Sequence, residues 1–293
     1  ANSINIRTVP ALINDYHMTM GAPPINTWHN GIDKGWFTSF PSLTSARVQQ
    51  YCTSKIETAK GHLKLQRQHV QSTHPNKRRP RSNQHQVSTH IRKLKYLVSM
   101  DLTGRYPIAC RRGYKYILIM VDWDSNNIKL TPVKSRKSST IVKAYSEVYN
   151  WFEDHGFQAE LLKLDNEVSK LLIQAITEDK LYFQLASPND HRQNPAECAI
   201  QDVKAHFITI RNIADPSFPR DSWDLLLQHT EDTLNMLRPS KINPKISAYT
   251  TMRGHYNYMK TPMAPAGCKV VVHDRPMERG SWADRGTVGF FLK

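Results

Sequence analysis

Tyr96-Leu97-Val98-Ser99-Met100-Asp101-Leu102-Thr103-Gly104 is an apolar run that ends in an acid and then in turn chemistry. Such a run predicts a buried strand, because a short apolar stretch bounded by turn signals can satisfy its backbone only in a sheet. Tyr114–Asp122 (YKYILIMVD) is strongly β-prone, and Ile128–Val133 follows it across Asp124-Ser125-Asn126-Asn127, four residues that favour turns. Three consecutive strands joined this tightly predict an antiparallel meander. Working outward, Ser138 to Phe157 repeats apolar residues at near-helical spacing (Ile141, Val142, Tyr145, Val148, Tyr149, Phe152) and closes at Gly156. Leu161–Asp165 is a fourth strand, Val168–Ile176 a helix, Leu181–Leu185 a fifth strand, and Pro195–Ile213 a long helix. The order βββαβαβα predicts an α/β, ribonuclease-H-like mixed five-stranded sheet.

Both flanks differ from this core. Upstream, Ile25–Trp36 and Ser42–Tyr51 have weak helical periodicity, which predicts a small helical piece over 1–54. Downstream, Trp223–Leu237 predicts one more helix inside a core spanning 95–240. Residues 241–293 then carry Gly, Pro and short β-prone runs at Lys269–His273 and Thr287–Leu292, which predicts a small, mostly β module. The chain starts without Met and stops inside an apolar run, so it reads as a piece of a longer polypeptide.

Charge is distributed unevenly. The 293 residues carry a net +15, more than solubility requires, which points to a polyanionic partner. Residues 55–96 alone hold a net +10, centred on Lys77, Arg78, Arg79 and Arg81, and residues 241–293 hold +6, while 97–240 is slightly acidic. The segment 55–94 therefore reads as a solvated basic arm or linker. A linker or an import signal shares this composition; contact with the phosphate backbone of DNA or RNA is the favoured reading. No apolar run approaches the ~18 residues of a membrane span, and the first residues lack a secretion signal, so an intracellular protein without a membrane partner is expected. Cys52, Cys110, Cys198 and Cys268 are too widely spaced for a disulfide framework and are expected to be reduced.

The acids carry the chemistry. Asp101 ends the first strand, Asp165 the fourth, and Glu197 lies in the first turn of the helix after the fifth. In a sheet of this type the first and fourth strands are neighbours, so the three carboxylates would converge. Hard divalent cations take oxygen ligands, and two such ions can activate a water or 3′-hydroxyl for in-line displacement at phosphorus. A charge following an apolar strand is costly unless it is used. Mg2+ or Mn2+ is the expected cofactor, with no small-molecule cofactor.

Several segments also resemble the catalytic core of retrotransposon and retroviral integrases, most closely the copia-type elements. They are Val98–Gly104, Tyr116–Asp122 with Ser125 beyond, Leu164-Asp165-Asn166, and Ser187-Pro188 through Asn194-Pro195-Ala196-Glu197; the tail around Ala264–Gly267 and Gly280–Ala283 resembles the segment following that core. The resemblance implies that Asp101, Asp165 and Glu197 are the metal-binding carboxylates of an integrase that trims a cDNA 3′ end and joins it to target DNA. It further implies DNA as partner, a homo-oligomer, and action in the nucleus. Asp122 is read as a structural strand-end acid. On chemical grounds His191, Arg192, Asn194, Lys204 and Arg211 are candidates to hold phosphates, and ordinary solvated helix charge is an equally good account of them. This chain departs from the family in having 31 residues between Asp165 and Glu197, Glu167 where a glycine is usual, Pro195 before the glutamate helix and Cys198 in place of a basic residue. The family's amino-terminal zinc module has no intact counterpart: His17, His29 and Cys52 make at most three of four ligands, and zinc is not expected. Two further readings stay open, an inactive nucleic-acid-binding remnant and another nuclease or transposase of the same fold.

Overall fold

The structure is a computed structural model that describes residues 6, 8–63, 96–157, 159–164, 168–185, 195–275, 277 and 280–292. Four helices come first: α1 (Val9–Thr19), α2 (Ile25–Asp33), α3 (Ser45–Tyr51) and α4 (Ile56–His62). The α/β core follows as β1 (Leu97–Leu102), β2 (Tyr116–Asp122), β3 (Ile128–Val133), α5 (Ser138–Asp154), β4 (Leu161–Leu164), α6 (Lys170–Glu178), β5 (Tyr182–Leu185) and α7 (Pro195–Ile213). A 3₁₀ segment (Arg220–Leu226), α8 (Leu227–Met236), α9 (Ala248–Arg253) and an antiparallel ribbon of β6 (Lys269–His273) and β7 (Gly286–Phe290) complete the chain.

The five strands lie in the order β3-β2-β1-β4-β5. β1–β2 and β2–β3 are antiparallel, whereas β1–β4 and β4–β5 are parallel. This is the ribonuclease-H-like α/β sheet expected from the strand and helix order. Alternation sorts the side chains onto two covered faces. Val98, Met100, Leu118 and Met120 meet Tyr145, Val148 and Phe152 of α5 and Leu172 and Ile176 of α6. On the other face Ile117, Ile119 and Val121 meet Ala199, Val203, Phe207 and Ile210 of α7. Each fully buried α5 side chain contributes roughly 1.5–3 kcal/mol. By the same alternation Ser99 and Asp101 fall on the α7 side of the sheet.

The β3 edge is closed by side chains. Ile128 and Leu130 turn their amides away from β2; Asn235 Oδ1 accepts from Ile128 N at 2.9 Å and Glu231 Oε2 from Leu130 N at 2.9 Å, while Asn235 Nδ2 donates to Ile128 O at 2.8 Å. Four residues of helix rise about 6 Å and two residues of strand about 6.7 Å, so Glu231 and Asn235 match the spacing of a missing strand. The next outward position is Pro132, which has no amide to satisfy. Buried Glu231 also receives Lys129 Nζ (2.8 Å) and Arg253 (3.1 Å).

The N-terminal helices are part of the same body. Ile13, Tyr16, Met20, Trp28, Phe37 and Phe40 share a core with Met236, Leu237, Tyr258 and Met263. Residues 56–62, grouped by composition with the basic arm, instead form α4, which crosses α7 so closely that a Cβ on Gly61 would overlap Thr209 Oγ1 and the Ala205 carbonyl. The loop after α1 is buried, and a buried loop needs partners for its carbonyls. His229 Nε2 donates to Thr19 O (2.7 Å), Thr58 Oγ1 to Ala22 O (2.8 Å) and His17 Nε2 to Pro23 O (2.8 Å). Gly21, at φ +74, packs where a Cβ would stand 2.6 Å from the His206 ring.

Other boundaries moved slightly. The helix expected over Trp223–Leu237 opens as the end of the 3₁₀ segment, which is kinked at non-helical Ser222 just before it and runs to Leu226, and becomes α-helical only from Leu227. α6 begins later than Val168 because Ser169 caps it, accepting from Leu172 N. α1 was not expected; Thr8 caps it and Pro10 sits in its first turn. No helix among the described residues is long and apolar enough to cross a membrane.

Candidate active site

Asp101 is half-buried near the end of β1, and its Oδ1 accepts from Leu102 N at 2.7 Å. The ladder beyond it is extended by a side chain, since Thr103 Oγ1 accepts from Ile117 N at 3.0 Å. β4 runs parallel beside β1 in the register Val98 with Leu162 and Ser99 with Lys163, and ends at Leu164. Asp165 is the next residue in the chain and lies outside the described residues, as do Lys77, Arg78, Arg79, Arg81, His191, Arg192 and Asn194. A cavity of about 230 Å³ adjoins Asp101 and is walled by Leu102, Arg136, Ser138, Leu164 and Ser169.

Glu197 stands in the first turn of α7. Its neighbours Ala196, Ala199, Ile200 and Val203 are buried, so the helix is pressed onto the sheet on the side where Asp101 lies. Among the described residues, Glu197 Oε2 is buried without a hydrogen-bond partner. A buried carboxylate oxygen with no donor is costly unless a cation meets it, and carboxylate oxygen is the donor that Mg2+ and Mn2+ prefer. Glu197 supplies the oxygen donor type that a divalent ion takes, and among the described residues, from which Asp165 is missing, no group of three or more His, Cys, Asp or Glu able to hold a metal occurs.

α7 is held at this height by a residue that the sequence did not single out. Arg238 donates to Asp202 Oδ2 (2.7 Å) on α7 and to Asn126 Oδ1 (2.7 Å) and O (3.2 Å) in the β2–β3 turn. Asn126 adopts φ +60, a backbone that asparagine tolerates. The pairing spans 112 residues, and no local pattern signals it. Ser99, whose buried Oγ has no hydrogen-bond partner among the described residues, was also not anticipated.

The remaining residues sort clearly. Asp122 is buried and accepts from Ser125 N (2.7 Å) and Ser125 Oγ. Burial raises its pKa against the opposing effect of the Ser125 hydrogen bonds, and it ties the turn together as a structural acid. Lys204 and Arg211 are exposed and follow Glu197 along α7 at seven-residue intervals, a stripe that drifts only ~20° per step. Of the residues considered for zinc, His17 is bonded to Pro23 O, His29 pairs with Asp33 at 2.9 Å, and Cys52 lies in the apolar N-terminal core. Cys198 is exposed, Cys52 and Cys110 are buried, and all four cysteines are free.

No protein-family model matches the chain, and no curated protein matches it. Among solved structures, the chain is similar to the HTLV-2 integrase catalytic core domain in complex with magnesium. The trimeric form aligns at 17% identity and TM-score 0.41, covering 55% of this chain and 99% of that one. The dimeric form aligns at 16% identity and TM-score 0.40, covering 55% and 97%. A chain of the simian T-cell lymphotropic virus intasome in complex with PP2A regulatory subunit B56 gamma aligns at 16% identity and TM-score 0.39; this chain spans 56% of its length. The fold assignment itself rests on the strand order and register.

Proposed function

We propose that the chain is an integrase-type polynucleotidyl transferase of a retroelement, which trims a cDNA 3′ end and joins it to target DNA in the nucleus, acting as a homo-oligomer. The observation that carries this reading is the orphaned, buried Oε2 of Glu197 on a helix packed over the sheet face that bears Asp101. The parallel pairing of β1 with β4 supports it, because the chain enters Asp165 directly from the strand beside Asp101.

Asp101, Asp165 and Glu197 would hold Mg2+ or Mn2+. The ions, when bound, supply Lewis acidity toward the phosphoryl group and an activated oxygen nucleophile. The protein's own contribution is positional. Arg238 fixes α7 against the β2–β3 turn and so sets where the Glu197 carboxylate stands. Thr103 holds the end of β1 where Asp101 projects. Lys204, exposed one heptad beyond Glu197, and the basic segment 55–94 would bind phosphates without reading sequence.

A strand-transfer assay with a cDNA-end duplex, target DNA and Mg2+ tests the reading. The wild-type chain is expected to give joined products that vanish in Asp101→Asn, Asp165→Asn and Glu197→Gln. Absence of metal-dependent joining by the wild type overturns the proposal in favour of an inactive binding remnant. Selective RNA cleavage of an RNA–DNA hybrid without joining overturns it in favour of a ribonuclease.

A further inference from the structure

Fourteen residues beyond Glu197, about 21 Å at the helical rise of ~1.5 Å, α7 reaches a second concave surface. A cavity of about 390 Å³ opens there, bounded by Tyr106, Arg211, Asn212, Phe218, Arg220 and Trp223. Its aromatic wall is built firmly. Tyr106 and Trp223 lie with ring centroids 4.5 Å apart at 30°, and Phe207 meets both edge-on at 6.0 and 6.4 Å. Trp223 Nε1 donates to Ile108 O at 2.9 Å, so its polar end is already committed. The opposite rim, Asp215-Pro216-Ser217-Phe218-Pro219, is stiffened by two prolines and by Asp215 Oδ1, which accepts from Ser217 N at 2.8 Å.

Two of the residues that bound the cavity are arginines not spent on acids. Arg111, Arg112, Arg238 and Arg253 each pair with a carboxylate: Asp221, Asp224, Asp202, and Glu231 with Asp232. Arg211 and Arg220, the two that bound the cavity, have no carboxylate within ion-pair distance among the described residues. Arg211 donates to the Tyr106 hydroxyl at 3.3 Å. The acid at the rim, Asp215, is already met by Ser217 and, at 3.4 Å, by Lys269 Nζ. Uncompensated guanidinium groups over a low-dielectric wall concentrate positive potential, and guanidinium beside aromatic rings is the combination that takes a phosphate joined to a flat ring. The volume lies within the range of small-ligand pockets, ~300–1,000 Å³.

We propose that this cavity is a nucleotide-binding site, remote from the carboxylates, in which Arg211 and Arg220 hold a phosphate and Tyr106 and Phe218 cover the attached nucleoside. The Glu197, Lys204, Arg211 stripe leads from one site to the other, so a nucleic-acid strand lying along α7 would reach both. That last point rests on the transferase reading; the nucleotide chemistry of the cavity does not.

The test is arginine footprinting with phenylglyoxal, read by mass spectrometry on the full chain carrying Glu197→Gln, without divalent ions. The probes are inorganic phosphate, a deoxynucleoside monophosphate and a single-stranded oligonucleotide. Protection of Arg211 and Arg220 severalfold, with exposed Arg285 reacting as before, is the expected result. If the monophosphate protects as well as the oligonucleotide, a free nucleotide suffices; if only the oligonucleotide protects, the occupant is one unit of a strand. In an oligonucleotide titration against salt, Arg211→Ala/Arg220→Ala is expected to flatten the log–log slope by about 0.7, the contribution of the one phosphate that the two arginines hold on a single strand. Equal protection by inorganic phosphate alone, or no protection together with an unchanged slope, overturns the proposal. Because the footprint needs neither metal nor Glu197, lack of DNA joining leaves a positive result standing, and its absence in a chain that joins DNA overturns the cavity site alone.

Discussion

Replacing Asn235 by leucine tests whether α8 acts as a surrogate strand for the β3 edge. The side chains are of similar size, but leucine can neither accept from Ile128 N nor donate to Ile128 O, bonds of 2.9 and 2.8 Å in the wild type. Asn235 is 2% exposed, so water cannot replace it without the helix moving away. Each buried backbone group left without a partner costs about 1–3 kcal/mol, so the pair predicts a loss of about 2–5 kcal/mol, offset in small part by the apolar side chain. Against a typical total of ~5–15 kcal/mol this is a large fraction. Urea denaturation measures it as a fall in midpoint at constant slope. Native-state hydrogen exchange supplies an internal control: the Ile128 amide is expected to exchange faster, while the Leu130 amide, held by Glu231 Oε2 at 2.9 Å, keeps its protection. A loss below about 0.5 kcal/mol with Ile128 still protected would refute the reasoning.

Arg238→Ala is expected to cost about 2–3 kcal/mol, less than the ~3–5 of a fully buried pair because the Asp202 carboxylate is half exposed and water can replace the guanidinium; exchange should quicken in the first turns of α7, and unchanged protection there would remove Arg238 from its positioning role. His206 is buried between Gly21, Thr233, His62 and His229, and burial first, then the two histidines, lowers its pKa from 6.5 to about 3. The unfolded chain therefore takes up a proton that the folded chain refuses as pH falls from about 6.5 toward 3. Stability contributed by neutral His206 is complete above pH 6.5 and is lost through that window at up to ~1.4 kcal/mol per pH unit. His206→Gln should flatten the acid limb of the stability curve by about one proton, and parallel curves for the two proteins would contradict this.

Much of the core was legible in sequence because its signals are local. The run 116–121 is apolar on both faces, as a strand covered on both sides must be, the run 97–102 is apolar except for Ser99 and Asp101 on one face, and Asp124–Asn127 supplied the turn between β2 and β3. α5 and α7 carried helical periodicity over four or more turns. α1 and α4 were not legible. They are short, with weak periodicity, and their stability comes from contacts with distant segments: Gly61 against Ala205 and Thr209, and the Thr19–Pro23 loop against His229, Thr58 and His17. The 3₁₀ turn before α8 was missed because Trp223 and Leu226 fit a helical spacing, which does not tell a 3₁₀ turn from an α turn.

For the candidate site the division is similar. Asp101 and Glu197 stood out in sequence because an acid after an apolar strand, and one opening a long helix, are costly or informative where they occur. Arg211 was noticed only as a candidate phosphate contact along the helix of Glu197, and neither Arg238 nor Arg220 could be told from ordinary surface charge, since every arginine looks alike until its carboxylates are known. By itself the sequence determined the strands and helices of the α/β core and the acids at their ends, through periodicity and the cost of burying charge. Only the tertiary structure decided which edge of the sheet is closed, which helix holds Glu197 in place, and which arginines remain without a counter-charge. Those outcomes depend on pairings across 36 to 210 residues, and such pairings leave no local trace in the chain.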